Sequence, residues 1–251
     1  MPRDAEIFSD SPVEVLGPDR PSPWLVLCDH ARNRVPDDIN GGSLGVDEAD
    51  MARHIAYDIG AEGVARRLAT RLNAPCVLSN FSRLVINPNR GADDPTLVMR
   101  LYDGTVIPGN RAVDAPEVAR RIESLYVPYH TQIADIAARH ENTVILSIHS
   151  FTAQLAGRPP RPWHVSVLSA EDRRLGDPLL RHLGTDPMLC IGDNVPYGGY
   201  LPGDTIDRHA TAHNRRNALI EIRNDLIATP DQQAAWADRL APVLLAALSE
   251  T

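Results

Sequence analysis

The sequence predicts an α/β fold: a mixed, mostly parallel sheet with helices on both faces. Three observations lead there. Short apolar runs recur as WLVLC at 24–28, VILSI at 144–148 and ALIEI from Ala218. Segments with apolar residues at helical spacing lie between such runs, and that alternation favours a parallel sheet. Each of the three runs stops at polar side chains: Asp29 and His30 in the first, His149 in the second, and Glu221 with Arg223 and Asp225 in the third. In open α/β sheets, ligands bind outside the carboxyl ends of the strands. His30, His149 and Glu221 are therefore expected to meet in one cleft.

The remaining elements follow in order. Residues 1–22 are polar and proline-bearing, and read as an arm over the surface. The strand at 24–28 precedes a loop, 29–45, broken by Pro36 and the pair Gly41-Gly42. From 46 to 72 the pattern turns helical, with Ile55, Ile59, Val64, Leu68 and Leu72 at spacings of four or five. Gly60 and Gly63 are candidate breaks between two helices there. CVL at 76–78 and LVI at 84–86 read as strands. Residues 91–113 hold few periodic apolar positions and form a long loop, a kind of segment that is often functional. Asp114 and Glu117 resemble a capping box opening a helix to about His140, which Pro128 should kink or break. After the central strand, residues 153–162 are a Pro-bearing loop. A strand at 164–169, a helix at 171–183, a strand at 188–191 and the Gly- and Pro-rich loop DNVPYGGYLPGD come next. Beyond the strand LIEI, Thr229, Pro230 and Gln232 match a helix start, with Pro at the first helical position. No repeat, low-complexity tract or linker interrupts residues 1–251, so they read as one domain.

Composition narrows the function classes. A chain of 251 residues with 43% hydrophobic and 23% charged residues is ordinary for a globular protein with a full core. The net charge of −8 disfavours a nucleic-acid or membrane-surface role. No apolar stretch approaches the roughly 18 residues of a membrane span. The N-terminal stretch is charged and lacks the apolar core of a signal peptide. Cys28, Cys76 and Cys190 lie in or beside expected strands, and read as buried free thiols of a reducing, cytoplasmic compartment.

Several residues have the chemistry of a site. His30 and His149 share a strand-end context. A His–x–x–acid pair is a familiar metal spacing, but the fourth position after His30 is Asn33, a poor zinc ligand, so a third ligand has to come from elsewhere. His54 and Asp58 are four apart on an expected helix and share a face. Glu221 and Arg223 are two apart in a strand and point the same way, so they need partners or a function. Arg83 and Arg90 flank LVI, and arginine suits a two-point grip on a carboxylate. The glycines of DNVPYGGY let backbone approach a ligand closely. There is no phosphate loop, no GxGxxG, no nucleophile elbow and no CxxC pair.

Nine stretches, in this order, carry a resemblance: CDHARNRVP, HIAYDIGA, SRLVINPNR, PGN, PYH, SIHSFT, RPWHVSVL, DNVPYGG and IEIRNDL, over about residues 24–228. Together they are similar to the N-formylglutamate amidohydrolase family, itself related to zinc carboxypeptidases and aspartoacylases. The resemblance implies a zinc-carboxypeptidase-like (phosphorylase/hydrolase-like) sheet with one zinc ion at its strand ends. His30 and His149 match two zinc ligands. Asn33 stands where the acidic ligand is expected, so Asp58 is the preferred third ligand and His54 the fallback. Asn89-Arg90 resembles a pair that binds the substrate carboxylate, and Glu221 in IEIR resembles the catalytic base. Arg83 or Arg223 would stabilise the developing oxyanion. Arg223, Asn194 and Tyr197 complete the expected substrate contacts. The implied reaction is hydrolysis of an N-formyl or N-acyl amino acid, with N-formyl-L-glutamate leading and formate and L-glutamate as products. Another metallocarboxypeptidase or deacylase, or a catalytically silent binding protein on the same scaffold, are the alternatives. The expected partner is a small molecule, with no nucleic acid and no membrane.

Overall fold

The apolar runs pair into one sheet. In the computed structural model, which describes residues 11–155 and 157–251, the strands are β1 (Val13–Leu16), β2 (Trp24–Cys28), β3 (Cys76–Ser79), β4 (Leu101–Tyr102), β5 (Thr105–Val106), β6 (Val144–Phe151), β7 (Val165–Leu168), β8 (Ile191–Asp193) and β9 (Asn217–Arg223). Among the described residues, seven strands form the main sheet in the order β1-β3-β2-β6-β9-β7-β8, and β4 with β5 makes a separate hairpin. β3, β2, β6 and β9 run parallel, β1 pairs antiparallel with β3, and β7 turns the direction by pairing antiparallel with β9. The carboxyl ends of β2, β6 and β9 therefore lie along one edge.

Among the described residues there are seven α-helices: α1 (Glu48–Met51), α2 (Ala61–Arg71), α3 (Ala115–Arg121), α4 (Val127–Ala137), α5 (Gly176–Leu183), α6 (Thr205–His209) and α7 (Pro230–Leu248). Alternation along each strand sorts side chains between the two faces. Val26, Cys28, Leu146, Ile148, Ile220 and Ile222 turn to one face, where they pack with Val64, Leu68, Leu179, Trp236 and Leu240 of α2, α5 and α7. Leu25, Leu27, Ile145 and Leu219 turn to the other, against Tyr129 and Ile133 of α4 and Ile206 of α6. His149 and Glu221 lie opposite one another in register and continue this second face past its apolar part. α7 opens as expected, with Thr229 and Gln232 closing a reciprocal capping box and Pro230 in the first turn. No helix of the described residues is long and apolar enough to cross a membrane.

The structure corrects several expectations. Part of the expected N-terminal arm is β1, an edge strand along β3, while residues 1–10 of that arm lie outside the described residues. LVI at 84–86 is a buried turn, not a strand. The carbonyls that a sheet would have bonded go elsewhere: Asn110 Nδ2 donates to Leu84 O at 2.7 Å, and the buried Arg121 donates to Val85 O at 2.8 Å. The helical pattern at 46–72 yields only α1 and α2, and His54 and Asp58 occupy the turns between them. Gly60 makes the break, because it begins α2 at φ +80°. Gly63 stays inside α2, where it lets Gln233 of α7 approach. The expected loop at 91–113 contains the β4–β5 hairpin and a 3-10 turn at Pro108–Asn110. Before Pro128 the helix loosens into a π turn, Ile122–Tyr126, as suits a residue that cannot donate to the preceding turn. α5 begins later than expected, at Gly176, and α6 was not foreseen. β8 starts at Ile191, so Cys190 is exposed outside it, whereas Cys28 and Cys76 are buried.

Gly60 offers a direct check on how α2 is seated. A Cβ there would stand 2.1 Å from the carbonyl oxygen of Ile227. Left-handed backbone alone costs a side-chain-bearing residue about 1–2 kcal/mol. Gly60→Ala should lower the unfolding free energy in urea by at least that amount, and an unchanged midpoint would show that this start tolerates a side chain.

Candidate metal and active site

The cleft is built on a carboxylate that does not reach it. Asp29 follows β2 and is fully buried. Its Oδ1 accepts from Tyr129 at 2.9 Å and Thr205 at 2.6 Å. Its Oδ2 accepts from Ser147 at 2.8 Å and lies 2.8 Å from His149 Nε2. Burial raises the affinity of this carboxyl for a proton, but the hydrogen bonds from His149 and Thr205 outweigh it and hold the group below its ordinary range. Asp29 thus keeps a hydrogen on His149 Nε2. The other ring nitrogen, His149 Nδ1, is thereby turned toward Asp58.

His30 is fixed by the same logic. Its Nε2 lies 2.8 Å from Asn87 Oδ1, which also accepts from the backbone N–H of Asn89 at 3.0 Å. That oxygen is an acceptor, so His30 Nε2 donates and His30 Nδ1 carries the lone pair. Burial and the neighbouring Arg83 cation hold His30 well below its ordinary pKa, in the neutral form. Asp58 is brought in by its backbone N–H, which donates to His30 O at 2.8 Å. Asp58 Oδ2 then lies 2.9 Å from His149 Nδ1 and 3.4 Å from His30 Nδ1.

Two ring nitrogens and a carboxylate consequently face one another. The ligand atoms of His30, Asp58 and His149 all fall within 4.8 Å of each other, and all three residues are buried. Two imidazole nitrogens and a carboxylate are a donor set that catalytic zinc sites use. The residues therefore fit a metal ion. Oriented imidazoles whose far nitrogen is held by a carboxylate or amide are a recurrent support for metal ligands.

The wall above the three ligands carries charge without full pairing. Arg83 leaves the 82–86 turn, is buried, and ion-pairs with Asp58 Oδ1, while its Nε has no hydrogen-bond partner. Glu221 is buried, and its Oε2 has no partner. Burial pushes the Glu221 carboxyl above its ordinary pKa, against the opposing pull of His149, Arg83 and Arg161. Both groups line a cleft of about 260 Å³ together with His30, Asp58 and His149. Asn89, Arg90 and Tyr197 line it too.

Of the remaining expected site residues, Arg223 and Asn194 are not on this wall. Arg223 pairs with Asp225 at 2.8 Å, and Asn194 Oδ1 accepts from the backbone N–H of Ser169 at 2.9 Å. Asn33 donates to Met51 O at 2.9 Å, away from the three ligands. His54 Nδ1 lies 3.3 Å from Asp58 Oδ1, not the oxygen that faces His30 and His149. Asn87, Tyr129 and Ser147 lie in stretches that carry the resemblance but nothing there marks them singly, Thr205 lies in none, and Asp29 reads only as a strand-end residue.

A second network holds the 88–90 segment. His130 Nε2 lies 3.0 Å from Pro88 O and must donate, so His130 Nδ1 accepts from His209 Nε2 at 2.8 Å. Burial lowers the pKa of His130 to about 4 and of His209 to about 3, so both are neutral near pH 7. Tyr126 donates to Arg90 O at 2.7 Å, and Thr205 N–H donates to Asn89 Oδ1 at 3.1 Å.

Known proteins share this arrangement of the chain. The crystal structure of a gene product from Agrobacterium tumefaciens superposes with a TM-score of 0.90 at 35% identity, covering 95% of each chain. That of N-formylglutamate amidohydrolase from Ralstonia eutropha superposes with a TM-score of 0.65 at 21% identity, covering 96% of this chain and 98% of that one, and so shares the fold. No curated protein matches the chain. The family model for N-formylglutamate amidohydrolase matches residues 22–228, which takes in every residue of the cleft described above. By that match the chain belongs to the N-formylglutamate amidohydrolase family.

Proposed function

We propose that the protein is a zinc-dependent amidohydrolase that cleaves the amide of an N-formyl or N-acyl amino acid, with N-formyl-L-glutamate the leading substrate. The observation that carries this reading is the convergence of His30 Nδ1, His149 Nδ1 and the Asp58 carboxylate, with both far ring nitrogens already engaged. Zinc, when bound there, supplies a Lewis acid that polarises the amide carbonyl and acidifies water. Arg90 and Asn89 hold the amino-acid carboxylate at one end of the cleft. Tyr197 packs against the substrate. Glu221, with its unpartnered Oε2, takes a proton from the attacking water and delivers it to the leaving nitrogen. The C–N bond breaks as the new C–O bond forms, giving formate and L-glutamate from the leading substrate. Arg83 offers a buried positive charge to the oxygen that becomes negative in between. Arg223 and Asn194 shape the strand end and the loop rather than touch substrate.

One feature favours a second reading, a binding protein without turnover: Arg83 already ion-pairs with the carboxylate of Asp58. Metal analysis separates the two. Purified protein is expected to carry one zinc per chain, and His149→Ala to lose it. Zinc retained in His30→Ala/His149→Ala would remove this site from the proposal. Asp29→Asn should weaken zinc affinity by about 10- to 100-fold, because the far nitrogen of His149 loses its anionic partner. Competition with a chromophoric chelator reads that change, and an unaltered affinity would make Asp29 purely structural.

Glu221→Gln tests the chemistry. It keeps size and shape but cannot accept a proton. Zinc should remain, and turnover should fall by about 100- to 10,000-fold. Near-normal turnover with a lowered melting temperature would assign Glu221 to stability alone.

A further inference from the structure

A second cavity, of about 520 Å³, abuts the cleft. His54, Tyr102 and Tyr197 line both, so these three side chains form the wall between them. Beyond the wall, Ala52, Ile55, Ile59 and Leu155 form an aliphatic patch, and Asp103, Thr152, Gln154 and Asn224 complete the lining. One cation stands at its rim, Arg53, and it is already engaged. It pairs with Asp50 at 2.7 Å and with Asp103 at 2.8 Å, and donates to Thr105 at 2.9 Å. The cavity therefore offers an aliphatic patch and no uncommitted cation at Arg53, which suits an uncharged, apolar group lying along that patch.

Its position relative to the reaction centre says which part of a substrate that group would be. His54 begins the wall 3.3 Å from Asp58, directly beside the candidate ligands. Asn89 and Arg90 line the first cleft and not the second cavity. A substrate whose carboxylate is held at Asn89-Arg90 places its amide carbonyl at the centre. Whatever is attached to that carbonyl carbon must leave on the side away from the amino acid. A formyl group attaches only hydrogen there and leaves the second cavity unused.

We propose that the second cavity receives the acyl chain of the substrate, and that the protein prefers N-acyl amino acids with aliphatic chains of medium length. This rests on the amidohydrolase reading above and, within its N-formyl and N-acyl substrates, moves the preference from the formyl to the longer acyl group. The chain bends past Tyr102, which the β4–β5 hairpin presents, and past Tyr197, whose ring lies 5.3 Å from the Arg161 guanidinium. Burying each methylene is favourable, so preference should rise along a homologous series until the cavity is filled.

The test uses the full-length, zinc-loaded protein and four substrates: N-formyl-, N-acetyl-, N-butyryl- and N-hexanoyl-L-glutamate. kcat/KM is expected to rise along the series, with hexanoyl exceeding acetyl on the order of tenfold or more. Ala52→Phe and Leu155→Trp, which fill the cavity, should each cut the hexanoyl-to-acetyl ratio by a similar factor. Calorimetry with Glu221→Gln reads binding without turnover, and should give a lower Kd for hexanoyl- than for acetyl-L-glutamate. Hydrolysis of the formyl and acetyl substrates with no gain at hexanoyl would overturn this inference and leave the amidohydrolase reading standing. Hydrolysis of none of the four would overturn both.

Discussion

The carboxylate of Asp29 is an anion at the bottom of a protein core, and the arrangement around it would not hold without its four donors. Burying an unpaired carboxylate costs several kcal/mol or more. Here Tyr129 comes from α4, Ser147 and His149 from β6, and Thr205 from the first turn of α6. The three elements are thereby pinned to the end of β2 at one point. One of those bonds engages Nε2 of His149, and so leaves Nδ1 facing the cleft. Support and chemistry are one interaction, seen from below and from above.

The same economy recurs under Asn89 and Arg90. These residues lie in a loop, where no sheet holds the backbone. Instead a ladder of neutral imidazoles, His209 to His130 to Pro88 O, fixes one carbonyl, and Tyr126 fixes the next exposed one at Arg90. Because burial keeps both rings uncharged, the direction of every hydrogen in the ladder follows from the carbonyl at its end. A loop so tied can present a cation in a defined place without the entropy cost of ordering it when a ligand arrives.

What could be read from the sequence and what could not divide along a physical line. The strands ending at Asp29, His149 and Glu221 were legible, because a buried strand is written as an unbroken apolar run and its end as the first polar residues. Their meeting in one cleft followed from parallel topology alone. The run LVI was written in the same script and misled. Its backbone carbonyls are satisfied by Asn110 and Arg121, side chains more than twenty residues away, and no local pattern announces such a partner. His54 and Asp58 were correctly read as neighbours but through the wrong element, since Gly60 confines the helix to the residues after it. Arg223 and Asn194 failed as wall residues because each finds a nearer partner, a choice that composition does not encode. Asp29 was visible as a residue but its role was not, because that role lies in four partners distributed over the chain.

The wide spacing of the three candidate ligands has a further consequence, in the unfolded chain. His30 and Asp58 are 28 residues apart, and Asp58 and His149 are 91 apart. To gather them without the fold, a disordered chain must close both loops at once, and closure entropy grows with loop length. The unfolded ensemble is therefore a poor chelator. A cation captured by these groups discriminates almost completely between the two ensembles, so nearly all of its binding free energy appears as resistance to denaturation. With a cation bound at these ligands, the protein would be, in effect, a gauge of its own cation supply, with persistence under thermal stress as the dial.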